Sequence, residues 1–92
     1  MSFVLELFPA ARRDFKKLPR HVQEKLLFVH LPTIQSDPYK WGRPLAGAFK
    51  GERSYHFGGR PEYRVIYFID GKTIIVTVIG TREQIYKKAR GR

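Results

Sequence analysis

Residues 62–82 read Glu-Tyr-Arg-Val-Ile-Tyr-Phe-Ile-Asp-Gly-Lys-Thr-Ile-Ile-Val-Thr-Val-Ile-Gly-Thr-Arg, and this stretch decides the fold. Two runs rich in β-branched and aromatic residues flank an Asp-Gly pair, the strongest short-range signal for a hairpin, because both turn residues tolerate positive φ. With Asp70 and Gly71 as the turn, the register puts Ile69 opposite Lys72, Ile66 opposite Ile75, Arg64 opposite Thr77 and Glu62 opposite Ile79. The chain then leaves the second strand at Gly80-Thr81-Arg82 beside the start of the first. Arg64 and Arg82 become neighbours.

Arg64 is a charge inside an apolar strand pair, and an unpaired desolvated guanidinium is costly. Two readings stay open. Arg64 either reaches solvent or a carboxylate such as Glu62 or Glu83, or it is a fixed cation that binds an anion.

The chain has 92 residues, which makes one small domain, 1–92, that buries roughly 60–65 % of its unfolded surface and leaves no room for a deep cavity. Without cysteine it has neither a disulfide framework nor a thiolate metal site. No apolar run approaches the ~20 residues of a membrane span, and the opening residues lack the basic start and long apolar core of a signal peptide, so a soluble cytoplasmic protein away from membranes is expected. Eighteen Lys and Arg against eight Asp and Glu give a formal net charge of +10. Such an excess in a small domain calls for a polyanion or an acidic protein as partner, nucleic acid first; a merely soluble charged surface is the plainer alternative.

Phe3 to Phe8 alternates weakly and fits an opening strand that Pro9 ends. Ala11, Phe15 and Leu18 at i, i+4 and i+7 predict a helix with a basic outer face, stopped by Pro19. A second helix is predicted from Arg20 to about Gln35, kinked by Pro32 or ending near His30. Residues 39–51 read as a loop, Arg53 to Phe57 as a strand, and Gly58-Gly59-Arg60-Pro61 as a turn into the hairpin. After Arg82 the tail reads as a short helical turn at best, with a basic end. The resulting fold class is α+β: two N-terminal helices on one face of a small, mainly antiparallel twisted sheet, in the order β-α-α-β-β-β.

This register brings His56, Arg60, Arg64, Arg82 and Tyr86 to one sheet edge. The set offers cations, an imidazole and a phenol, with no paired carboxylates, Walker loop or Ser-His-Asp order. These groups suit a phosphodiester, because guanidinium forks match the equatorial oxygens of the reacting phosphate. RNA carries its own nucleophile in the 2′-hydroxyl, so a side chain that takes its proton allows in-line attack without a metal or other cofactor. Singly, each residue has a plainer reading: Tyr86 as an edge of the core, His56 as a solvent-facing strand residue, Arg60 as a loop cation.

Tyr63-Arg64-Val65-Ile66-Tyr67, the Asp-Gly hairpin, the Ile/Val strand, Gly80-Thr81-Arg82 and Ile85-Tyr86 closely resemble the RelE/ParE superfamily of bacterial toxin–antitoxin toxins. The resemblance extends to Phe15-Lys16-Lys17-Leu18-Pro19, Pro44-Leu45-Ala46-Gly47 and Lys50-Gly51, so it spans nearly the whole chain in order. It implies the RelE branch: a ribosome-dependent endoribonuclease that cuts messenger RNA in the decoding site and is held inactive by an acidic antitoxin. On that resemblance Arg64 stabilises the reacting phosphate, Arg82 follows the last strand, and Tyr86 orients the message. His56, or Arg60 in its place, is the proton-transfer candidate, and Arg53, Arg60, Lys50, Lys87 and Lys88 are expected to bind RNA. Thr81 stands where many relatives have a histidine, and lysines on the central strand are lacking, which leaves the acid–base assignment open. Two alternatives remain at this point, a ParE-like inhibitor of DNA gyrase and a non-catalytic basic module that binds RNA or DNA.

Overall fold

The computed structural model describes residues 3–90. Strand β1 (Val4–Leu7) leads into helix α1 (Pro9–Lys16), and Pro9 occupies the first helical turn, where a missing N–H costs nothing. Helix α2 (Arg20–Lys25), a π-helical turn (Leu26–His30) and α3 (Leu31–Ser36) follow as one continuous helical run. The Leu31 N–H bonds to the Leu26 carbonyl five residues back, so the wider turn lies immediately before Pro32 and absorbs its missing donor without ending the run. The kink expected at Pro32 thus takes the form of a π turn just ahead of it.

Pro19 separates α1 from α2, and Gln23 ties the two, its Nε2 donating to the Leu18 carbonyl at 3.0 Å and the Lys16 carbonyl at 3.3 Å. Residues 39–51, expected as a loop, hold most of the short helix α4 (Pro38–Trp41), strand β2 (Arg43–Pro44) and a 3₁₀ turn (Gly47–Phe49). Strands β3 (Arg53–Phe57), β4 (Tyr63–Asp70) and β5 (Thr73–Thr81) precede helix α5 (Arg82–Arg90). The tail is therefore a nine-residue helix rather than a short turn. Ile85 and Ala89, four residues apart, seat it against the sheet.

The sheet runs β1-β5-β4-β3-β2, with β1 parallel to β5 and the other pairs antiparallel. Helices α1 to α3 cover one face, where Ala11, Val22, Leu26 and Ile34 meet Phe57, Tyr63, Val65, Tyr67, Ile74, Val76 and Ile79. The other face carries a smaller cluster of Ile66, Val78 and Ile85, closed by Leu45, Tyr86 and Ala89. No helix among the described residues is long and apolar enough to cross a membrane.

The β4–β5 register differs from the sequence expectation in two steps. Asp70 pairs with Thr73, so the turn is Gly71-Lys72, with positive φ at Gly71 alone. Glycine in the first central position suits this turn, whereas a turn on Asp70-Gly71 of the expected type needs Asp70 at positive φ. A bulge then inserts Thr77 opposite the Ile66/Tyr67 step. Arg64 pairs with Gly80 instead of Thr77, and the Arg82 N–H bonds to the Glu62 carbonyl at 3.0 Å.

Beyond Leu7, β1 no longer covers β5, and the edge would expose backbone donors. Asp14 of α1 takes the place of the missing strand. Its buried carboxylate accepts from the Ile79 N–H at 3.0 Å and from Lys88 Nζ at 3.4 Å. Lys88 Nζ also reaches the Ile79 carbonyl at 3.5 Å. One carboxylate thereby ties α1, β5 and α5 together.

Candidate functional site

Alternation along β3 and β4 sends Tyr55, Phe57, Tyr63 and Val65 to the face under the helices, and Ser54, His56, Arg64 and Ile66 to the opposite face beside α5. On that face a depression of about 210 Å³ is lined by Arg43, Leu45, Ser54, His56, Arg64 and Tyr86. His56 and Arg64 are direct cross-strand partners.

The guanidinium of Arg64 is held on two sides. Its Nε donates to Glu62 Oε2 at 2.8 Å, and its Nη1 donates to the Tyr86 hydroxyl at 3.1 Å. Both readings of Arg64 are thus partly met: it pairs with Glu62, but at the rim, with the two side chains 22 % and 30 % exposed. Among the described residues Nη2 makes no hydrogen bond, which leaves one arm of the fork for an incoming anion. Burial works against the Arg64 charge, and the bonds to Glu62 and Tyr86 outweigh it, so its pKa is raised. The Glu62 carboxyl is lowered, first by its hydrogen bond from Arg64, and the charges of His56 and Arg82 add to this. Glu62 holds Arg64 through its carboxylate and the Arg82 N–H through its carbonyl.

Tyr86 lies one helical turn after Arg82, on the same face of α5. Its ring is tilted against Phe49 with centroids 5.6 Å apart, and Lys50 is the exposed residue that follows Phe49. Lys87 is exposed on α5 next to Tyr86. His56, Arg64 and Tyr86 thus line one depression, Arg82 stands one helical turn before Tyr86, and Lys50 and Lys87 are the sequence neighbours of Phe49 and Tyr86.

Arg53, Arg60 and Lys88 are directed elsewhere. Arg53 Nη2 donates to the carbonyls of Tyr39 at 2.6 Å and Gly42 at 2.7 Å, and its guanidinium lies 5.8 Å from the Tyr39 ring centroid. It fastens α4 and the following loop to β3. Lys88 is committed to Asp14 and Ile79. Arg60, in the β3–β4 turn, lines a separate depression under α2.

Two lining residues escaped the sequence reading. Arg43 sits on a two-residue strand inside a stretch that reads as loop, and nothing in its neighbours marks it. Ser54 could have been found, because strand alternation places it on the face of His56. Its Oγ is buried and has no hydrogen-bond partner among the described residues. A buried hydroxyl left unpaired is a cost that this face of the sheet carries. Among the described residues no group of three or more His, Asp or Glu side chains is placed to hold a metal ion.

The family model described as the ParE toxin of the type II toxin–antitoxin system parDE matches residues 5–86. No curated protein sequence matches the chain significantly. Among solved structures, the RelBE2 toxin–antitoxin complex of Mycobacterium tuberculosis is 25 % identical, with a TM-score of 0.80 over 89 % of this chain and 100 % of that one. A double mutant of the Escherichia coli toxin RelE in the free state is also 25 % identical, with a TM-score of 0.79 over 100 % and 98 %. Escherichia coli YafQ, 20 % identical with a TM-score of 0.65 over 88 % and 94 %, shares the fold. A match over residues 5–86 on a RelE-like fold decides the matter: the chain belongs to the ParE/RelE family of type II toxin–antitoxin toxins.

Proposed function

We propose that this toxin is an endoribonuclease of the RelE type that cuts messenger RNA in the ribosomal decoding site, without a metal, until an acidic antitoxin covers it. The observation that supports this reading is the Arg64 guanidinium, anchored by Glu62 and Tyr86 at the mouth of a depression that also holds His56 and the unpaired Ser54 hydroxyl. In this mechanism the 2′-oxygen attacks the adjacent phosphorus and the bond to the 5′-oxygen breaks. Arg64 neutralises the charge that grows on the equatorial oxygens, and Arg82 adds to the field at the same rim. Tyr86 positions the message through its ring and hydroxyl. His56 takes the proton of the 2′-hydroxyl, and water gives a proton to the departing 5′-oxygen, its hydroxide being neutralised by the proton His56 then releases.

Primer extension on messages from cells that express the chain tests this. Cuts confined to translated reading frames, abolished by Arg64→Ala, are expected. The family model's own description favours a second reading, a ParE-like inhibitor of DNA gyrase. In that case growth arrest survives Arg64→Ala and Tyr86→Ala, no cuts appear, and DNA supercoiling falls.

A further inference from the structure

Strand β2 is only two residues long, yet its surroundings are tied down at several points. A Cβ on Gly42 would come within 2.0 Å of the Tyr67 hydroxyl oxygen, so the chain runs hard against a fully buried ring there. The Gly42 carbonyl accepts from Arg53 Nη2 at 2.7 Å, and the Leu45 N–H donates to the Glu52 carbonyl at 2.8 Å. Leu45 itself packs on the cluster of Ile66, Val78 and Ile85. Between these anchors Pro44 biases Arg43 to extended backbone, and Arg43 pairs with Ser54 of β3. Cross-strand partners share a sheet face, so Arg43 stands on the face of Ser54, His56 and Arg64.

We infer that Arg43 holds the message by the phosphate next to the one that reacts, so that the strand crosses the sheet from Arg64 on β4 to Arg43 on β2. This inference rests on the nuclease reading and adds a substrate contact to it. Among the described residues the Arg43 guanidinium makes no hydrogen bond and no ion pair, and the side chain is exposed. The depression that it shares with Arg64 is lined by no carboxylate. Strand β3, which lies between them, brings no arginine or lysine to this face, because Arg53 is turned to the Tyr39 and Gly42 carbonyls. Two strand spacings of about 4.8 Å and a two-residue offset of about 3.4 Å per residue put the Cα atoms of Arg43 and Arg64 about 12 Å apart, on opposite walls of the depression. Glu62 and Tyr86 fix the free Nη2 of Arg64 at the β4 wall. An unpaired guanidinium on the far wall therefore meets the same polyanion at its next charge, where its fork matches phosphate oxygens.

The test uses full-length toxin and ribosomes that hold a message in the decoding site, in single-turnover cleavage with toxin in excess. Arg43→Gln is expected to raise the toxin concentration for half-maximal rate by about tenfold and to leave the rate at saturation within about twofold of wild type. The slope of log affinity against log salt should become shallower by about 0.7, the value for one phosphate contact on a single strand. Arg43→Lys keeps a charge on the same strand and should restore that slope and most of the affinity. Since Arg43 is exposed and carries no bond in the fold, both variants keep the wild-type melting temperature.

An unchanged half-maximal concentration and salt slope in Arg43→Gln overturn the inference, and Arg43 is then a solvated surface cation. A fall in the saturating rate by about tenfold or more also overturns it, because Arg43 then acts on the reacting phosphate beside Arg64. Wild-type toxin that cuts no message on the ribosome rejects the nuclease reading itself, and the phosphate contact with it.

Discussion

Arg64→Lys isolates what the guanidinium fork contributes. The wild-type side chain uses Nε for Glu62 at 2.8 Å and Nη1 for Tyr86 at 3.1 Å, with Nη2 left over. Lysine keeps the charge but has one nitrogen, which cannot reach a carboxylate, a phenol and a phosphate in three fixed directions. Loss of one preoriented donor to a developing anion costs about 2.7–4 kcal/mol, or roughly 10²–10³ in the rate of the chemical step. The structural loss is much smaller, because the side chain stands at the rim, 22 % exposed. The hydrogen bond to Tyr86 is worth about 1 kcal/mol, which in a domain of this size moves Tm by no more than about 4–8 °C. Single-turnover cleavage of a ribosome-bound message therefore falls by two to three orders of magnitude, while the melting curve stays cooperative and within that window. Cleavage within threefold of wild type in a folded Arg64→Lys protein refutes the assignment. A larger fall in Tm means that Arg64 is structural.

Other outcomes test the remaining parts of the structure. Tyr86→Phe keeps the ring against Phe49 and removes the acceptor for Arg64 Nη1, so cleavage should fall by about tenfold, while Tyr86→Ala costs much more; equal losses in the two variants would mean that the ring contributes nothing. Asp14→Ala leaves the Ile79 N–H and Lys88 without their buried acceptor and should cost about 3–5 kcal/mol in urea unfolding; a cost under about 1 kcal/mol would show that the edge is satisfied by other means. His30 is held below its usual pKa of 6.5, first by burial and then by Lys25. The unfolded chain therefore takes up the proton before the folded one, and stability falls as pH drops through 6.5 and levels off below the folded value. The Tm of wild type should drop more between pH 7.5 and 5 than that of His30→Gln, and parallel curves would contradict the shift.

The parts of the fold that residue type and periodicity encode were legible in the sequence. The β-branched and aromatic runs on either side of Asp70-Gly71 marked the central strands, and the apolar stripe at Ala11, Phe15 and Leu18 marked α1. Asp14 lies on that same stripe, and an acid there was a readable sign of a buried carboxylate that serves a sheet edge. The register was not legible, since two choices that set it are not periodic. Gly71 is the first turn residue because only it takes positive φ, and Thr77 is expelled as a bulge whose hydroxyl donates to the Ile66 carbonyl at 3.3 Å. Each step moves β5 relative to β4, and together they carry Arg64 from opposite Thr77 to opposite Gly80. That displacement makes the site. At Gly80 the strand has no side chain, and a Cβ there would come within 3.2 Å of Lys88 Nζ. That contact is with the end of a flexible side chain, and α5 follows β5 directly at Arg82, with Tyr86 one turn on and within a hydrogen bond of Arg64. The pairing of guanidinium and phenol thus depends on the bulge, so a shift of register at Thr77 should separate Arg64 from Tyr86 even with every site residue intact.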